Sequence, residues 1–140
     1  MKKLFLAVPT LLILAAVMLA PACAAADVKV NPGQEFQLKV GDKVSVSGED
    51  LAIQFVRVTQ DSRCPTGATC IQAGQVDCEV YLTQEGHIYL VTLTQLGSST
   101  QNVAENLGYR FVFNVLPYPE LGKDNHFEDY TLVLKVTRAG

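Results

Sequence analysis

An all-β fold, an antiparallel β-sandwich of about seven strands, is what this chain predicts, with an immunoglobulin-like arrangement or a small barrel as other ways of closing the same strands. Three observations carry that expectation. Apolar residues recur at every second position over short windows, the period of a half-buried strand. Glycine, proline, asparagine and aspartate punctuate those windows, supplying turns. No stretch after Asp27 sustains the period of a long amphipathic helix.

The elements follow in order. Phe36, Leu38 and Val40 share one face and Gln37 and Lys39 the other; Gly41-Asp42 then turns the chain into Val44 and Val46. Leu51, Ile53 and Phe55, with Arg57 next in phase, alternate against Ala52, Gln54, Val56 and Val58, which suits a central strand. Val76, Cys78, Val80 and Leu82 alternate against Asp77, Glu79 and Tyr81. Gln84-Glu85-Gly86 reads as a hairpin turn, after which His87 to Thr94 returns as a strand. Ser98 to Gly108 predicts at most one helical turn around Val103-Ala104-Glu105. Tyr109, Phe111, Phe113 and Val115 face away from Arg110, Val112, Asn114 and Leu116, and Pro117 and Pro119 stop that strand. Leu132, Leu134 and Val136 alternate in the last strand, Tyr130 to Val136.

Ahead of these elements the chain has Lys2 and Lys3, an uncharged run from Leu4 to Ala22, and the small-residue cluster Ala22-Cys23-Ala24-Ala25-Ala26. Basic start, apolar middle and small-residue exit predict an export signal over 1–26, leaving a single β-sandwich domain over 27–140. Pro9 and the lack of basic residues just after the run weigh against a retained membrane span. Two exits stay open. Leu19-Ala20-Pro21-Ala22-Cys23 resembles a lipoprotein cleavage site, with Cys23 acylated, although Pro21 and Ala20 depart from the usual aliphatic pair; Ala24 and Ala26 suit ordinary signal peptidase. Either route removes Cys23 from disulfide pairing. The expected location is the periplasm, the outer membrane as a lipoprotein, or the medium, with membrane contact only through a lipid on Cys23.

Without Lys2 and Lys3, nine of the eleven basic residues remain against fourteen acidic ones, and no cationic cluster interrupts them. Nucleic-acid binding needs a concentrated cationic face, so no nucleic-acid partner is expected. An oxidising compartment favours paired thiols. Three cysteines remain: Cys64 and Cys70 share one turn-rich segment, while Cys78 alternates with core residues. That predicts a Cys64–Cys70 disulfide and a buried free Cys78.

Sharper chemistry finds little support. A zinc site from Cys64, Cys70, Cys78 and His87 lacks close C-x-x-C pairing. A thiol oxidoreductase wants that pair at a helix start, and a Cys78 nucleophile with His87 or His126 as base would sit on an inward face. Asp124, Asn125, Glu128 and Asp129 could offer oxygens to calcium, but the D-x-D-x-D-G order is missing, and a solvated turn is the expectation. No metal, cofactor or catalytic residue is predicted.

The stretch Asp61-Ser62-Arg63-Cys64-Pro65, then Cys70-Ile71-Gln72-Ala73-Gly74, with the later Leu116-Pro117-Tyr118-Pro119 and the closing Tyr130 to Val136, resembles a poorly characterised family of small exported bacterial proteins, many of them lipoproteins. Gln72 stands where that family has Trp. The resemblance implies export and, with no activity established for the family, no catalytic residues. Asp61 and Ser62 are expected to hold a structural corner through backbone N–H groups, with Arg63 paired to Asp61 or to a carboxylate of the late loop. The alternative makes Arg63 a recognition group for carboxylate or phosphate, which requires an exposed guanidinium.

The expected function is a non-catalytic binding or structural module of the bacterial cell envelope, acting on an unknown protein or envelope ligand. Arg63, Tyr89 and Tyr118 are the candidate contact residues, since aromatic and arginine side chains carry most interface energy. Gly33 to Val46 also resembles the opening strands of small β-sandwich protease inhibitors, without their Asn-Pro-Thr-Thr-Gly loop, which makes inhibition the alternative. An uncharacterised hydrolase is the second alternative.

Overall fold

The structure, a computed structural model, describes residues 28–140; the predicted export segment and Cys23 lie outside them. Among the described residues the chain forms strands β1 (Val28–Val30), β2 (Glu35–Lys39), β3 (Lys43–Val46), β4 (Ala52–Asp61), β5 (Gln75–Gln84), β6 (His87–Leu96), β7 (Asn102–Asn106), β8 (Tyr109–Leu116) and β9 (Thr131–Arg138), with one 3₁₀ turn at Phe127–Asp129. They pair into a five-stranded sheet, β1-β3-β4-β5-β6, and a four-stranded sheet, β2-β9-β8-β7. Every ladder is antiparallel except that of β1 with β3. The two sheets pack as a sandwich.

The predicted phases of β5, β8 and β9 hold. Val76, Cys78, Val80 and Leu82 meet Phe111, Phe113, Val115, Leu132, Leu134 and Val136 across the core, with Ile53, Phe55, Leu38 and Leu93 filling the remainder. Each such side chain contributes about 1.5–3 kcal/mol by leaving water. The Glu85-Gly86 turn has φ of 51° and 76°, the paired positive values of the hairpin turn that matches strand twist.

Three features depart from the expectation. Asn102–Asn106 is a strand, not a helical turn: it folds back on β8 through Leu107 and Gly108, both at positive φ. Only Ala104 of its five residues packs against the core, so its sequence carries almost no alternation. β1 is three residues long, too short for a period. In β4 the register shifts between Phe55 and Arg57 and again between Val58 and Gln60. The bulge turns Val58 inward, to 2 % exposure, and leaves Arg57 outside, its Nε donating to Glu79 at 2.8 Å. An unpaired guanidinium in the core would cost more than the lost ladder bond.

Candidate functional site

β4 ends at Asp61, and the next two residues make the corner that the sequence predicts. The Arg63 backbone N–H donates to Asp61 Oδ1 at 3.2 Å, the short-range turn that an aspartate forms with the residue two positions on. Ser62 then continues the ladder: its N–H donates to the Gln75 carbonyl at 2.7 Å, and its hydroxyl accepts from the Gln75 N–H at 3.2 Å. Cys64 N–H donates to the Ala73 carbonyl at 3.0 Å. Gly74, at φ +68°, passes so close beneath Ser62 that a Cβ there would fall 1.8 Å from the Ser62 carbonyl oxygen.

Arg63 turns inward. Its side chain has 0 % exposure and that of Asp61 8 %. Nε and Nη2 donate to the two Asp61 oxygens at 2.9 and 2.6 Å, a bidentate pair. Nη1 donates to the Val115 carbonyl and Nη2 also to the Pro117 carbonyl, each at 2.8 Å. The Tyr130 hydroxyl donates to Asp61 Oδ2 at 3.0 Å, and the Tyr118 ring lies 4.8 Å from the guanidinium carbon. Desolvation, with the neighbouring Asp61 charge next, pushes the Tyr130 hydroxyl above its ordinary pKa. The reading of Arg63 as an exposed recognition group therefore lacks its required condition; the residue is a bolt from the first sheet into the β8–β9 connection of the second.

Beyond the bolt lies the staple. Cys64 and Cys70 form the predicted disulfide, and Cys78 is free and buried. Burial above all, with Asp77 adding to it, pushes the Cys78 thiol up to about 12, far from a reactive thiolate at neutral pH. With Cys64 and Cys70 joined to each other, the zinc set considered from sequence is broken. The stapled loop lies along the late loop: Thr66 N–H donates to the Pro119 carbonyl at 2.9 Å, Leu121 N–H donates to the Thr66 carbonyl at 3.1 Å, and the Thr66 hydroxyl donates to the Pro119 carbonyl at 3.0 Å. Two sequence-distant loops thus form one braced surface at this end of the sandwich.

That surface presents large apolar side chains. Ile71 is fully exposed and Leu121 65 % exposed, while Phe127, further along the late loop and 67 % exposed, lies beside Arg57, Val58 and Thr59 of β4. None of the three is among the contact residues predicted from sequence; an apolar residue in a turn-rich loop was the available signal. Tyr118 is half-buried under its contact with Arg63. Tyr89 is exposed, but it lies on β6 near the Glu85-Gly86 turn, at the opposite end. Gln72 is exposed on the stapled loop. A pocket of about 360 Å³ opens beside the bolt, lined by Asp61, Pro119, Lys123, Asp124, Asn125 and Tyr130.

The opposite end has its own brace. Glu49, between β3 and β4, accepts from Arg138 Nε at 2.9 Å and from the Tyr109 hydroxyl at 2.9 Å. The Arg138 bond first, and then that of Tyr109, holds the Glu49 carboxyl below its usual range. No described side chain leaves a buried nitrogen or oxygen unpartnered, no group of His, Cys, Asp and Glu among the described residues is arranged to hold a metal, and no described helix is long and apolar enough to cross a membrane. No protein-family model, curated protein or solved structure matches the chain.

Proposed function

We propose that this protein is exported to the bacterial cell envelope, either released or anchored through Cys23, and acts there as a non-catalytic binding module. Its binding surface is the stapled end. The observation that carries this reading is the braced pair of loops presenting Ile71 and Leu121 to solvent. Exposed apolar groups on a rigid frame lose little conformational freedom on association, the condition that favours tight binding. Beneath this surface Asp61 holds both Arg63 and Tyr130, which fixes the frame on which the loops are carried.

The test is capture from envelope extracts by the immobilised chain. Saturable capture is expected, and lost in an Ile71→Asp, Leu121→Asp variant whose unfolding midpoint is unchanged; capture that this variant retains would refute the surface. Intact mass separates the two exits, since acylation at Cys23 adds lipid and cleavage before Asp27 removes the cysteine. The clustering of loops at one end favours one second reading, inhibition of a protease by loop insertion. Stoichiometric slowing of a cysteine or serine protease, abolished by the same double substitution, would select it.

A further inference from the structure

The two sheets have four outer borders: β1 and β6 in one, β2 and β7 in the other. Open borders recruit other strands unless they are short, charged or bulged. β1 is three residues with Lys29 at its centre, β2 five residues with Glu35 and Lys39, and β7 five residues with Glu105. β6 differs from all three. It runs for ten residues, His-Ile-Tyr-Leu-Val-Thr-Leu-Thr-Gln-Leu, without Asp, Glu, Lys, Arg or Pro, and pairs with β5 at all ten positions with no register shift. Its far end is occupied, because Gln95 Nε2 donates to Asn114 and to the Ser99 carbonyl, and the Leu96 N–H donates to Asn102. From His87 to Leu93 the border is open, with Ile88 at 67 %, Leu90 at 55 % and Tyr89 at 41 % exposure.

We infer that this stretch pairs antiparallel with the same stretch of a second copy, in a register centred on Leu90. The two-residue turn makes Gln84 and His87 a hydrogen-bonded pair, so the N–H and C=O groups of Ile88, Leu90 and Thr92 point to the open border. Centring on Leu90 joins these groups in a ladder and sets Leu90 against its counterpart and Ile88 against Thr92. On the inner face Tyr89 meets Val91, an aromatic and β-branched pair of the kind that stabilises strand contacts. Tyr81 already lies beside Leu90 across the β5–β6 ladder, so an apolar row of Tyr81, Leu90, Leu90 and Tyr81 crosses the junction.

The side-chain pattern of β6 selects a second copy as the occupant. Identical strands paired about a two-fold axis bring like side chains together at the centre, and this register sets Leu90 on Leu90 and Tyr89 on Val91 with no charge opposing its own copy. β6 tolerates that arrangement because it carries no charged side chain there. Association also stops at two, since the joined sheet ends in each copy at β1, three residues long and bearing Lys29. This border is separate from the stapled end and does not depend on what that end binds.

Sedimentation velocity of the purified chain over a wide concentration range should show a monomer–dimer equilibrium. Leu90→Lys places two ammonium groups face to face and should weaken association at least about tenfold, while leaving the thermal midpoint of the chain diluted to monomer unchanged, because the side chain is already half exposed. Leu90→Cys should cross-link the dimer under mild oxidation, since directly opposed residues of a ladder lie within disulfide reach; Leu116→Cys, exposed on the other sheet, should not. A chain that stays monomeric, or a dimer that Leu90→Lys leaves intact, overturns the inference. So does protection of the β6 amides from exchange that arises only on addition of envelope extract.

Discussion

Replacing Arg63 with methionine keeps the packing of its stem and deletes four hydrogen bonds at once, two to Asp61 and one each to the Val115 and Pro117 carbonyls. The Asp61 carboxylate then stays buried with only Tyr130 and a backbone N–H, and the expected loss is about 3–5 kcal/mol in urea unfolding. Arg63→Lys should recover little of it, because an ammonium cannot reproduce the planar fork. Cys78 makes a second residue-scale prediction. Its thiol is pushed up to about 12 in the fold against an ordinary value of 9.0. The unfolded chain therefore releases this proton first, and stability falls as pH rises from about 9 towards 12, by up to about 1.4 kcal/mol per pH unit. Urea unfolding at pH 8 and pH 10.5 should show this loss in the native chain and a smaller one in Cys78→Val, where the raised Tyr109 and Tyr130 hydroxyls still contribute above about pH 10.

The stapled loop is an element whose two fastenings differ in strength. Cys64→Ser with Cys70→Ser should cost about 2 kcal/mol, the closure entropy of so short a loop, and less than Arg63→Met in the same assay. Gly74→Ala should cost more than about 2 kcal/mol, since a Cβ would meet the Ser62 carbonyl carbon and oxygen at 2.5 and 1.8 Å and backbone cannot rotate away. Gly86→Ala is the control: its φ is also positive, but the Cβ enters open space, so only the conformational penalty of about 1 kcal/mol remains. Elements were legible where one face is buried along their whole length, as in β5, β8 and β9, because burial imposes the period of two. β7 was not, since one inward alanine leaves no pattern, and neither was the β4 bulge, which records a choice between Arg57 and Val58 that a strict period cannot express. The Asp-Ser-Arg turn and the disulfide were legible because their partners are near in sequence. The carbonyls that receive Arg63 were not: they lie 52 and 54 positions away and belong to backbone, which every residue has.

Across the whole molecule, arginine fastens the two sheets at both ends, Arg63 beneath the staple and Arg138 through Glu49 at the other. The Glu49 carboxyl is held below its ordinary 4.5, chiefly by the Arg138 hydrogen bond. The bond therefore stabilises the fold fully above about pH 4.5 and loses that contribution as pH falls through the depressed folded value. Glu49→Gln should flatten the acid limb of a stability-against-pH curve measured from pH 7 to pH 3. At the stapled end the two fastenings sit at unequal depth, with Cys70 at the surface and Arg63 sealed below it. A reductant can reach the outer sulfur without opening the hydrophobic interior, whereas Arg63 lets go only when the sheets part. Reducing surroundings would thus slacken the lip of the loop and spare its root, making the presenting surface responsive to redox conditions at no expense to the sandwich beneath.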